Sequence, residues 1–107
     1  MTYARMNWGK MELQLDGHAN YAESGKDIVC AGISMISQAL IQTLIDMEKE
    51  RKTSLFWAGS PGVGFMRVEA TPKENHQNEI RACFRMCVTG LRMLEERYPD
   101  YIKLEEE

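Results

Sequence analysis

The chain has 107 residues, 44% of them hydrophobic, and a formal net charge of −3 from 13 Lys and Arg against 16 Asp and Glu. At this length it is expected to form one domain over residues 1–107 that buries about two-thirds of its unfolded surface, so a few long elements must supply the core. Its basic residues are scattered, which gives no footprint for direct nucleic-acid binding and favours a basic partner, and its three cysteines lack Cys-x-x-Cys pairing or a secretory leader, which favours reduced thiols in a cytoplasm over a disulfide scaffold or a zinc site.

Residues 2–7 read as a weak first strand with a poor face of Tyr3, Arg5 and Asn7, turned by Trp8-Gly9-Lys10 into a second strand. That second strand is clearer: Met11, Leu13 and Leu15 alternate with Glu12, Gln14 and Asp16, the period of a half-buried strand, and lead directly to His18. Residues 17–26 carry two glycines and several small residues, the composition of a mobile loop.

Over 27–51, Val29, Ile33, Ile36, Leu40, Leu44 and Met47 recur at three- and four-residue steps, and Met35, Ile41 and Ile45 broaden the stripe. So wide an apolar face suggests a sheet on one side and a second subunit on the other, hence a homodimer. Serines, glutamines and a threonine interrupt the stretch, which marks a buried helix and not a membrane span. Asp27 is the preferred N-cap, making Cys30 the third helical residue with a free N–H; a cap at Ser24 would move Cys30 into the second turn.

Leu55 to Trp57 and the alternating Met66, Val68 and Ala70 form two strands joined through Gly59-Ser60-Pro61-Gly62. Thr71-Pro72-Lys73-Glu74 is a capping-box sequence, so a second helix starts there or, after a break, near Asn75. Its stripe is Ile80, Cys83, Phe84, Cys87, Val88, Leu91, Leu94 and Tyr98. Pro99 ends it, 101–104 closes the sheet as an edge strand, and 105–107 is a solvated tail. The expected fold is a two-layer α+β domain with two helices packed on one face of a mixed β-sheet of four to five strands.

Chemistry concentrates in two short blocks, Gly17-His18-Ala19 and Gly25-Lys26-Asp27-Ile28-Val29-Cys30-Ala31. A cysteine near a helix N-terminus meets unsatisfied N–H groups and the positive end of the macrodipole, which favour the thiolate. An imidazole within reach completes a nucleophile with its general acid/base. The bland alternatives are a core cysteine at Cys30, a strand-end His18 bonded to backbone, and Asp27 as a simple cap. Ser34, one turn after Cys30, either touches the thiol or bonds back to its own helix. Asp16 competes with Asp27 as the group that orients His18. The Cys30 N–H is the first candidate for an oxyanion donor. Cys83 and Cys87 read as core packing, and their spacing from His76 matches no common zinc site, so neither a metal nor a cofactor is expected.

The two blocks, with Ser34 and the C-terminal Tyr98-Pro99-Asp100-Tyr101-Ile102, resemble the signature of the ribosomal-processing cysteine proteases from about Gly17 to the end of the chain. That resemblance implies a cytoplasmic endopeptidase with Cys30 as nucleophile and His18 as general acid/base, supported by Asp27 and Ser34. It also implies a substrate: the N-terminal extension of the large-subunit ribosomal protein numbered twenty-seven, cut after a Leu-Gln-Phe-Phe type sequence. Phe56, Trp57, Phe65 or a partner's methionines are candidates to line the apolar groove such a peptide needs. The rival readings are a peptide- or ribosome-binding module that keeps the fold without catalysis, and another thiol enzyme such as an acyltransferase.

Overall fold

The computed structural model describes residues 1–17 and 26–107, with the backbone alone for Lys26 and Asp27. The elements run β1 (Thr2–Asn7), β2 (Glu12–Asp16), α1 (Lys26–Lys49), β3 (Thr53–Ser60), a 3-10 turn (Pro61–Val63), β4 (Phe65–Pro72), α2 (Gln77–Arg97) and β5 (Ile102–Glu106). One five-stranded sheet has the order β3-β4-β2-β1-β5. Its neighbours are antiparallel except for the parallel pair β1 and β5, so the sheet is mixed.

Strand alternation decides which face is covered. Ala4 and Met6 of β1, Leu13 and Leu15 of β2, and Met66, Val68 and Ala70 of β4 are almost fully buried. The register sets Ala4 opposite Leu15 and Leu13 opposite Val68, so these side chains share one face, as direct cross-strand partners must. Both helices cover that face, closing the core with Val29, Ile33, Leu40, Leu44 and Met47 from α1 and Ile80, Phe84, Cys87, Val88 and Leu91 from α2. Among the described residues no helix covers the other face, which carries Tyr3 and Phe56, each about half exposed. The stretch Ile28–Lys49 has the length and apolarity to cross a membrane by composition alone. In this fold it is a core helix, because its inward residues pack on the sheet.

α1 and α2 approach closely where glycine allows it. A Cβ on Gly90 would meet Ile36 Cδ1 at 2.0 Å, and one on Gly32 would meet Leu94 Cδ1 at 3.1 Å. Steric room at these two points brings the helices together over a narrow sheet.

Several expectations are corrected. The face of β1 that matters is Thr2, Ala4 and Met6; Tyr3, Arg5 and Asn7 point away from the core. α1 begins at Lys26, before Asp27, so Asp27 is its second residue and not its N-cap. Of the two starts open for the second helix, the one at the capping box fails and the later one near Asn75 holds: β4 runs through Pro72, which pairs with Thr53, the Lys73 N–H bonds the Lys52 carbonyl at 2.8 Å, and α2 starts at Gln77. The acidic C-terminus is no free tail, because Glu105 and Glu106 pair with Arg5 and Met6 in the β1–β5 ladder and the Glu107 N–H bonds the Met6 carbonyl at 2.8 Å. The mobile loop expected over 17–26 falls, between its two ends, outside the described residues.

Candidate active site

β2 delivers the chain to the site through Gly17. Its φ is +88°, and a Cβ there would sit 2.3 Å from the Met1 carbonyl oxygen, so only glycine fits without displacing the backbone. The Gly17 N–H donates to the Gly64 carbonyl at 2.8 Å, tying the end of β2 to the turn that precedes β4. Gly64 itself has φ +83° and closes the 3-10 turn by donating its N–H to the Pro61 carbonyl at 3.1 Å.

Those segments and the start of α1 enclose a cavity of about 170 Å³. Cys30 and Ser34, one helical turn apart, form its helical wall with Ile33 between them. Pro61, Gly62 and Phe65 form the opposite wall, and Thr2, Leu15 and Gly17 complete the rim. Most of these groups are apolar, with the Cys30 thiol and the hydroxyls of Ser34 and Thr2 as polar points, the composition of a small-molecule or peptide side-chain site.

The four residues singled out from sequence fare differently. Cys30 and Ser34 share the cavity and are both half-buried. His18 lies outside the described residues, but it is bonded to Gly17, which lines the same cavity as Cys30. The Asp27 side chain also lies outside the described residues. The competing orienter, Asp16, is on the uncovered face of the sheet. There it accepts a hydrogen bond from Gln14 Nε2 at 2.9 Å and pairs with Arg5 at 3.6 Å, so its carboxylate is committed away from the helix layer.

Moving the helix start to Lys26 also changes the role of the Cys30 backbone. As the fifth residue of α1, Cys30 directs its N–H along the helix towards the Lys26 carbonyl, so this amide is part of the helical ladder and not one of the free donors expected for an oxyanion. Sequence reasoning did not single out the Thr2, Pro61 and Gly62 walls. The available signal was the Gly59-Ser60-Pro61-Gly62 string, which read only as a strand connection. Of the aromatics proposed for a groove, Phe65 lines the cavity, whereas Phe56 and Trp57 do not; Phe56 lies on the open sheet face with the Arg67 guanidinium 5.3 Å from its ring centroid.

The other two thiols sit in different environments. Burial pushes Cys87 up to about 12. Cys83 is also raised, first by burial and then by the nearby Glu79 carboxylate, and its Sγ lies 3.7 Å from the Met47 sulfur. Both are therefore protonated, packed thiols at neutral pH.

Comparison with known proteins places this arrangement. A family model described as cysteine protease Prp matches residues 1–103. The ribosomal processing cysteine protease Prp of Staphylococcus aureus (strain Mu50 / ATCC 700699) is 28% identical over 90 residues, covering 84% of this chain and 80% of its own length. The fold matches the crystal structure of an essential ribosomal processing protease Prp from S. aureus in complex with a substrate peptide, with a TM-score of 0.78, 22% identity and full coverage of both chains. The same S. aureus protease in complex with a covalently linked product peptide matches with a TM-score of 0.79, 22% identity and full coverage of both chains.

Iodoacetamide at neutral pH is expected to modify Cys30 well before Cys83 and Cys87, because the thiols of Cys83 and Cys87 are held protonated by their surroundings, Cys87 by full burial and Cys83, half-buried, by partial burial and the nearby Glu79 carboxylate. Peptide mapping after partial labelling checks this. Equal labelling of all three cysteines, or protection of Cys30, would contradict the site as drawn.

Proposed function

The chain belongs to the Prp family of cysteine proteases, and from that premise we propose that Cys30 is its nucleophile and His18 its general acid/base, acting on the N-terminal extension of a ribosomal protein. The observation that carries this reading is that Cys30, Ser34 and Gly17, the residue before His18 in the chain, border one cavity. In the proposed step the Cys30 Sγ attacks the scissile carbonyl carbon as its proton passes to His18. The C–N bond then breaks, the amine leaves with that proton, and water attacks the Cys30 thioester as His18 takes its proton; the C–S bond breaks, the acid is released and His18 returns the proton to the Cys30 sulfur. Asp27, in the first turn of α1, and Ser34, beside the thiol, are proposed to support this pair.

For the substrate we propose the large-subunit ribosomal protein numbered twenty-seven, cut after a Phe-Phe type sequence and before a small residue. Leu15, Ile33, Pro61 and Phe65 give the cavity an apolar lining suited to an aromatic side chain. The relatives that carry the description of ribosomal processing support the substrate class, and the net charge of −3 suits a basic protein. Free Cys30, Cys83 and Cys87 are in keeping with a reducing cytoplasm.

We further propose a homodimer built on the helical layer. Ile28, Met35, Met86 and Met93 are all more than half exposed there, and Ile36, Ala39, Leu40 and Met86 border a shallow apolar groove between α1 and α2. Light scattering at micromolar concentration is expected to show twice the 12.3 kDa chain mass; a monomer alone would contradict it.

Cleavage of a peptide bearing the Phe-Phe-small sequence tests the chemistry. Cys30→Ala and His18→Ala are each expected to lose about a thousandfold or more in kcat while still folding, and the double variant to lose little beyond either, because the pair works as one unit. Asp27→Asn and Ser34→Ala should lose less. Full cleavage by Cys30→Ala would overturn the mechanism, and a wild-type chain that binds the peptide without cutting it would favour a binding module.

A further inference from the structure

The basic residues look scattered along the sequence, yet the fold gathers four of them around two adjoining hollows. Arg81 and Arg85 lie one turn apart on α2, and Arg92 follows on the same helix, so the three span about 17 Å along its axis. Trp8, at the far end of β1, stands against them, with the Arg81 guanidinium 4.9 Å from its ring centroid. Arg81 also borders a second hollow that contains Lys10, Gln77 and Asn78, so the two hollows adjoin at Arg81 and together reach from the β1–β2 turn to Arg92.

The charge balance there opposes that of the whole chain. Among the described residues that line the two hollows, Lys10, Arg81, Arg85 and Arg92 stand against one carboxylate, Glu106, in a chain whose formal net charge is −3. Glu106 is already engaged by Trp8 Nε1 at 2.9 Å and by Arg92. Arg85 is exposed and has no ion-pair partner among the described residues. An unpaired guanidinium between two others is a strong attractor for oxyanions, and its planar fork matches phosphate.

We propose that this groove binds the phosphate backbone of single-stranded RNA. The hollows measure about 350 and 370 Å³ and lie side by side along the surface, with room for more than one phosphate. Gln77, Asn78 and Thr89 add side chains able to hydrogen-bond phosphate or sugar oxygens, the contacts that position a nucleic-acid strand without reading its sequence. An acidic peptide is the less favoured occupant because Val88 and the flank of Trp8 are the only apolar anchors the hollow holding Arg85 and Arg92 offers. The choice of RNA over DNA rests on the ribosomal reading above. The groove is separate from the thiol site: Thr2 at the start of β1 borders the Cys30 cavity while Trp8 follows the other end of that strand, about 20 Å away.

Fluorescence anisotropy with the full chain and a labelled uridine-rich RNA of about twelve nucleotides tests this at low ionic strength. Saturable binding is expected, with log affinity falling against log salt at a slope of about −2 to −3, as three or four phosphate contacts require. Arg85→Glu and, from the other end of the groove, Lys10→Glu should each weaken binding about tenfold or more, with Arg85→Lys retaining most of it. All three variants should cleave the Phe-Phe peptide at the wild-type rate. Absent saturable binding, unchanged affinity in both charge-reversal variants, or tighter binding of a poly-glutamate peptide than of the RNA would each overturn the proposal. RNA binding by a chain that cuts no peptide would leave this groove standing and count against the protease reading alone.

Discussion

The peptide unit at Gly17 is the constraint on which the site depends. Its N–H is spent on the Gly64 carbonyl at 2.8 Å, and its Cα lies so close to the Met1 carbonyl that a Cβ would approach to 2.3 Å. Three stretches distant in sequence therefore converge at one point: the start of β1, the end of β2 and the turn before β4. The cavity beside Cys30 is the space they leave against the first turns of α1. A left-handed φ at this position costs glycine little and would cost most other residues on the order of 1–3 kcal/mol, so the geometry that launches the chain towards His18 is set by backbone sterics before any side chain acts.

The sheet separates two kinds of surface. One end holds an apolar pocket with a thiol and hydroxyls. The other gathers arginines around Trp8 and ties down the C-terminal strand through Glu106 and Glu107. Arg81, Arg85 and Arg92 are spread over half of α2 in sequence and line one hollow with Trp8, which follows β1, only because the fold brings those segments together. Charge counted along the sequence could not reveal this.

Much of the architecture was legible because hydrophobic period is a local signal that the fold obeys. Leu13 and Leu15, Met66, Val68 and Ala70, and the α2 stripe through Ile80, Phe84 and Leu91 are all buried where their spacing puts them. What failed was local capping chemistry overruled by pairing at a distance. Thr71-Pro72-Lys73-Glu74 has the letters of a helix start, but Pro72 lies opposite Thr53 on the edge strand's partner, and the ladder extends through it. The C-terminal glutamates look solvated by composition, yet their backbone completes a parallel pair with β1. At the site, Cys30 and Ser34 were legible from helical spacing, whereas the Pro61, Gly62 and Thr2 walls were not, because a turn and a strand terminus carry no period that announces what they face. The start of α1 was misplaced by two residues, within the usual slack of helix boundaries, and that slack is enough to move the Cys30 amide from a free donor into the helical ladder.

The proposed chemistry requires Cys30 to form a bond to substrate. Intact-mass spectrometry after acid quench of the chain mixed with a Phe-Phe-small peptide, followed by peptide mapping, reads that bond directly. An adduct with the mass of the N-terminal cleavage product, mapped to Cys30 as a thioester, is the predicted result. Steady cleavage with no adduct at Cys30, or with the acyl group on Cys83 or Cys87, would contradict it.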